Sequence, residues 1–111
     1  MADLRQGRVV SLATTVASRD DARRLAAGLV EQRLAACVQV DPSLESHYRW
    51  EGRQCVDAEV RLVAKTTAAR LPALLAWLQE QHPYDLPQLV WQELQASEAY
   101  AAWVASAVGE G

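Results

Sequence analysis

Residues 34 to 66 read as one long β-hairpin, and that hairpin is too long for the small domain that carries it. From Ala36 to Trp50 the even positions hold Ala36, Val38, Val40, Pro42, Leu44, Ser46, Tyr48 and Trp50, and the odd ones Cys37, Gln39, Asp41, Ser43, Glu45, His47 and Arg49. Alternation with a period of two marks a strand with one apolar and one wet face. After Glu51-Gly52 it resumes, Val56, Ala58, Val60, Leu62 and Ala64 alternating with Cys55, Asp57, Glu59, Arg61 and Lys65. A three-residue loop, Trp50-Glu51-Gly52, keeps both apolar faces on one side, whereas a two-residue loop would mismatch them. In that register Cys37 lies opposite Lys65 and Cys55 opposite His47.

A strand of about 14 residues at roughly 3.3 Å each reaches about 45 Å. A compact domain of this size has a radius of gyration near 13 Å, or a diameter of about 34 Å. The hairpin must overhang, and a ribbon carrying Leu44, Tyr48 and Trp50 on one face exposes apolar area and unpaired strand edges, which other chains usually cover. A homo-oligomer is expected. The alternative is that Pro42, which lacks a ladder donor, breaks the strand and shortens the hairpin; a bulge or edge position at Pro42 reconciles the two.

The 111 residues make a single domain, 1–111, long enough to bury a core without a metal or disulfide to fold it. A net charge of −3 leaves no electrostatic footprint for nucleic acid or an anionic membrane. No apolar run approaches a membrane span, and the N-terminal Met-Ala-Asp-Leu-Arg-Gln-Gly-Arg leads into a strand rather than a signal peptide, so the expected location is cytoplasmic. Cys37 and Cys55, about ten positions apart on the ladder, are some 33 Å from each other and should be free thiols. Ten arginines accompany a single lysine, Lys65. In so Arg-biased a chain, a lone Lys is either an ordinary strand-end residue or a place where a compact ammonium is wanted.

Arg8 to Val16 reads as a first strand, and Ser18-Arg19-Asp20-Asp21 as a helix start, with Ala22, Leu25, Ala26, Leu29 and Val30 on one stripe. Beyond the hairpin, Leu71, Leu74, Leu75 and Leu78 mark a second helix, with Pro72 confined to its first turn. His82-Pro83-Tyr84-Asp85-Leu86-Pro87 ends it and leads to a fourth strand near Gln88 to Gln95. Ser97 caps a last helix whose stripe, Tyr100, Trp103, Val104 and Ala107, is expected in the core. The order β-α-β-β-α-β plus a terminal helix is an α+β class, the ferredoxin-like arrangement, an antiparallel sheet covered on one face by helices. That topology hosts unrelated functions.

The strings Arg33-Leu34-Ala35-Ala36-Cys37-Val38, Tyr48-Arg49-Trp50-Glu51-Gly52, Glu59, Lys65-Thr66-Thr67, His82-Pro83-Tyr84-Asp85-Leu86-Pro87 and Tyr100 with Trp103 resemble, in order and spacing, the CutA family of divalent-cation tolerance proteins, from about Val9 to Val108. The resemblance implies a ferredoxin-like subunit in a homotrimer, similar in architecture to the PII signalling proteins, with long hairpins wrapped around neighbours and sites in clefts between subunits. It also implies a link to tolerance of copper and other divalent metals, and no demonstrated reaction. Some family members place a Cys at the end of the first strand and a second His before the His-Pro-Tyr string. Here those places hold Thr14 and Gln81, leaving only His82. Asp85 keeps the charge of a usual glutamate and Gln88 loses one.

Cys37 and His82 are the candidate metal residues. An ammonium close to a thiol would favour the metal-binding thiolate, and thiol with imidazole selects copper or zinc over magnesium or calcium. Two ligands do not complete a shell, so a partner subunit, water or small ligand would finish it. The bland readings are a packed interface cysteine and a histidine capping a helix end. His47 opposite Cys55 would be a second pair near the tip. Trp50, Glu59, Lys65 and Tyr84 are candidates for a pocket binding a small anionic or zwitterionic molecule. Glu59 and Lys65 lie about 20 Å apart on one strand, so they share a site only across subunits.

Rivals fail on absences. The chain has no Asn for an acylphosphatase-type site, no Cys-x-x-Cys metallochaperone loop, no basic surface with strand aromatics for RNA, and no nucleophile elbow. The expected function is a non-enzymatic, metal-responsive trimer of the CutA type. The second reading is a PII-like trimeric sensor or scaffold for a small molecule.

Overall fold

Strand, helix and turn signals along this chain resolve, in a computed structural model that describes residues 6–109, into five strands and three helices. They run β1 Gln6–Val16, α1 Arg19–Glu31, β2 Cys37–Val40, β3 Leu44–Trp50, β4 Arg53–Thr66, α2 Leu71–Gln81, β5 Val90–Ser97 and α3 Glu98–Ala107. One sheet of order β2-β4-β1-β5, with β3 continuing along β4 beyond β2, is antiparallel throughout. The fold is a mixed α+β one.

Local chemistry explains the boundaries. The Ser18 hydroxyl accepts from the Asp21 N–H at 3.1 Å, and Asp20 and Asp21 sit in the first turn of α1, where carboxylates meet the positive end of the helix dipole. The helix closes at Arg33, whose φ of 58° is left-handed, with Leu34 N–H bonded to the Leu29 carbonyl at 2.9 Å and Arg33 N–H to the Val30 carbonyl at 3.1 Å. This is the Schellman pattern, built here without glycine. Pro72 lies in the first turn of α2, where a missing N–H costs nothing.

The even residues of β1 and β4 (Leu12, Val16, Val60, Leu62, Ala64) meet Ala22, Leu25 and Leu29 of α1 and Leu74 and Leu78 of α2 in the main core. α3 departs from the one-sided arrangement. A Cβ on Gly7, an odd-numbered β1 residue, would stand 2.5 Å from the Ala101 Cβ, so α3 packs against the opposite face, where Val9, Val104 and Val108 are buried. Tyr100 and Trp103, expected in the core, instead flank that contact, Trp103 being 49% exposed, with ring centroids 5.6 Å apart. Val104 and Val108 supply the buried contacts of this helix.

The hairpin overhangs. The radius of gyration is 15.3 Å and the long axis 50 Å, against about 13 Å for a compact domain of this length. Its register differs from the expectation. Cys37 pairs with Lys65 as anticipated, but toward the tip Tyr48 pairs with Cys55, His47 with Val56 and Trp50 with Arg53. The turn therefore has two residues, Glu51 (φ 50°) and Gly52 (φ 78°), the left-handed pair whose twist matches that of the flanking strands. Between Val40, opposite Leu62, and Leu44, opposite Glu59, three residues face two. Asp41-Pro42-Ser43 is a bulge.

The Asp41 N–H bonds the Arg61 carbonyl at 2.9 Å, and the Arg61 guanidinium meets the Asp41 carboxylate at 2.7 Å, anchoring the bulge. Pro42 sits where no ladder donor is needed. The bulge reverses parity. Val38 and Val40 point with Ala64 and Leu62 toward α1 and α2, whereas Leu44, Tyr48 and Trp50 share a face with Glu59, Cys55 and Arg53. The apolar stripe read in the sequence as continuous changes sides at Pro42.

Candidate functional site

Where β1 ends and the β3-β4 ribbon leaves the body, the passage between α2 and β5 folds over the junction. A cleft of about 730 Å³ forms, with Thr15 and Ala17 at its floor, Tyr48, Trp50, Asp57 and Glu59 from the ribbon, and Tyr84, Asp85 and Leu86 from the passage. That volume suits a small organic ligand.

His82 holds the passage in place. Its ring is 7% exposed. Nδ1 accepts the Tyr84 N–H at 3.1 Å, so Nε2 carries the proton and donates to the Thr15 carbonyl at 3.0 Å, with the Thr14 hydroxyl also 3.0 Å away. Burial pushes the imidazole below its ordinary pKa, against the opposing influence of the Thr15 carbonyl and of Asp21 and Glu59, with Arg24 reinforcing it. The ring is neutral and both nitrogens are occupied.

Tyr84 stacks obliquely on His82, centroids 5.0 Å apart, and its hydroxyl donates to Glu59 Oε2 at 2.8 Å. Burial, then the Glu59 contact, raises the pKa of this phenol. On the ribbon, the Tyr48 hydroxyl donates to Asp57 in a short hydrogen bond that, with burial secondary, lifts its pKa to about 12. Both phenols are neutral donors at pH 7. Each fixes a carboxylate that faces the cleft, with Asp85 the third acid among the lining residues and no Lys or Arg among them.

Trp50, Glu59 and Tyr84 thus meet on one cleft within one chain. Lys65 does not join them: it lies six residues along β4 from Glu59, beside Cys37, with its ammonium 3.5 Å from the Gln39 amide oxygen. Cys37 and His82 are likewise not brought together. Cys37 is level with Lys65 and Ser11, whereas His82 is bonded at Thr14 and Thr15, three to four residues further along β1 and roughly 10 to 13 Å away along the strand alone.

Among the described residues no three of His, Cys, Asp or Glu are grouped to hold a metal. A copper site built from Cys37 and His82 of one chain does not fit this structure. The Thr14 hydroxyl lies 3.0 Å from the imidazole Nε2 and helps satisfy it. His47 pairs with Glu45 at 2.6 Å instead of with Cys55. The sequence reading missed Tyr48, Asp57 and Asp85 as cleft residues. Tyr48 and Asp85 lie within the singled-out strings, and Asp57 stands two residues from Glu59 on the same face of β4.

Comparison with known proteins follows the same lines. The family model "CutA1 divalent ion tolerance protein" matches residues 10–107. The divalent-cation tolerance protein CutA of Thermus thermophilus is 40% identical over 96 residues, covering 86% of this chain and 93% of that protein. The chloroplastic CutA 1 of rice is 34% identical, and this chain spans only 55% of it. CutA from Synechococcus elongatus superposes with a TM-score of 0.87 at 39% identity, covering 92% of this chain and 91% of the other. The same cyanobacterial protein has also been solved in complex with a Bis-Tris molecule, with a TM-score of 0.82.

Proposed function

The chain belongs to the CutA1 divalent ion tolerance protein family, and from that premise we propose that it works as a homotrimer of ferredoxin-like subunits that answers divalent cations by binding rather than by catalysis. The overhanging ribbon carries this reading. Its tip leaves Trp50 49% and Val56 56% exposed, while the far edge strand β5 leaves Trp91 52% exposed. These surfaces lie at different places on the subunit, so each copy offers one and receives another. Such a heterologous contact does not make a two-fold pair, and it closes into a ring where its rotation completes a turn.

Copper is a poor match to the neutral, saturated His82, so no metal step is assigned to Cys37 with His82 inside one chain. Each would enter a metal shell only with ligands from a neighbouring subunit. Native mass at micromolar concentration tests the assembly, and a folded monomer would end this reading. Calorimetric titration of Cu(II) and Zn(II) into the protein and its Cys37→Ala and His82→Ala variants tests the metal role. Saturable binding lost in either variant would restore that residue as a ligand, and an absence of saturable binding by the wild type would leave the metal response indirect.

A second reading, a PII-like trimer holding a small molecule, draws on the cleft beside Glu59 and Tyr84 and on the Bis-Tris complex of the cyanobacterial relative.

A further inference from the structure

The sequence alone suggested an anionic or zwitterionic ligand, grouping Lys65 with Glu59 across subunits. Within one chain the two lie six residues apart on β4, and this chain's own cleft is lined without Lys65. Within the cleft stand three carboxylates, Asp57, Glu59 and Asp85, with three aromatic rings, Tyr48, Trp50 and Tyr84, and neither Lys nor Arg lines it. We propose that the cleft between the ribbon base and the 84–88 passage binds a protonated organic amine, its ammonium held by Glu59 and Asp57 and its alkyl groups against the aromatic walls.

An anion entering here would meet three carboxylates with no Lys or Arg among the described lining residues, and the one lining imidazole, His47, is already paired with Glu45 at 2.6 Å. A bare divalent metal would need several oxygens converging within about 2.6 Å, and the acids are not so grouped. Aromatic faces attract alkylammonium groups and give a bare metal ion no donor atom.

The phenols prepare the site. Hydrogen bonds from Tyr48 to Asp57 and from Tyr84 to Glu59 hold the carboxylates in place before the ligand arrives. Each carboxylate oxygen has further lone pairs to offer a second donor. Because both tyrosines have raised pKa values, they stay donors across the neutral range and do not compete as anions. His82, bonded to the Tyr84 N–H, positions the passage from behind without touching the ligand.

This inference rests on the small-molecule reading and goes beyond it by naming the ligand class. The test uses the protein in its solution assembly, with choline and putrescine as cationic probes and glutarate as the anionic one, followed by calorimetry and by quenching of tryptophan fluorescence. Choline and putrescine should saturate at roughly millimolar concentration or tighter, as one ion pair plus a cation–π contact allows, and glutarate should not bind. Glu59→Gln should weaken the cations at least tenfold, and Tyr84→Phe, which keeps the ring and frees Glu59, about threefold, with circular dichroism unchanged in both. Glutarate binding in place of the cations would overturn the charge assignment while leaving a small-molecule cleft standing. No saturable binding of any probe would overturn both. Cation binding unchanged in Glu59→Gln would remove the site from this cleft.

Discussion

Replacing His82 by Leu should cost several times more stability than replacing Thr14 by Val, although both positions are buried and in mutual contact. His82 serves three polar groups: the Tyr84 N–H at 3.1 Å, the Thr15 carbonyl at 3.0 Å and the Thr14 hydroxyl at 3.0 Å. Leu leaves all three without the ring, and at about 1 kcal/mol or more for each buried group stranded, the loss is roughly 3 kcal/mol. Val at position 14 fills the same volume and removes one hydroxyl while the Nε2 proton keeps the Thr15 carbonyl, so about 0.5 kcal/mol is expected. With a urea m-value near 1.5 kcal/mol per M, the midpoints should fall by about 2 M and about 0.3 M.

The measurement is urea unfolding at one fixed protein concentration, because self-association stabilises by mass action. pH supplies a second arm. The His82 pKa is depressed in the folded state by burial, so the unfolded chain takes up its proton first as pH falls. Stability from this group is complete above the unfolded value, near 6.5, and declines below it until the folded pKa is passed. His82→Leu should lose that dependence and Thr14→Val should retain it. Equal costs for the two variants, or a wild type whose stability does not fall between pH 7 and the folded pKa, would refute the account of His82 as a neutral, fully bonded latch.

Gly7→Ala should destabilise by about 1 to 3 kcal/mol through overpacking, because its new Cβ meets Ala101 at 2.5 Å; pairing it with Ala101→Gly should recover most of the loss in a double-mutant cycle. Gly52→Ala meets no atom within 4 Å yet must hold a φ of 78°, so a loss of about 1 kcal/mol is expected, with Gly52→Asn closer to wild type; an unchanged midpoint for Gly52→Ala would contradict the two-residue turn.

Much of the fold was legible because its signals are local. Ser18 and Ser97 cap helices as their positions implied, Pro72 marks a first turn, and the period-two runs marked the strands to within about two residues at their ends. The ribbon's overhang followed from counting residues. Tyr100 and Trp103 show the limit: a helical stripe says that one side of a helix meets something. It does not say whether that something is this chain's sheet, a neighbouring copy or water, and here Val104 and Val108 took the buried places.

What the sequence determined by itself was the set of elements, their order, the free cysteines, the overreaching hairpin and the residue strings of its family. Tertiary structure alone decided which side of the ribbon each residue faces. Alternation carries facing information only as far as pairing stays uninterrupted, and one extra residue at Asp41-Pro42-Ser43 reverses it without giving up the ladder on either side. That single reversal puts Tyr48 against Asp57 and brings Trp50 to the face that carries Glu59. Spacing along β4 keeps Lys65 apart, whereas pairing across strands decides which rings and acids share the cleft.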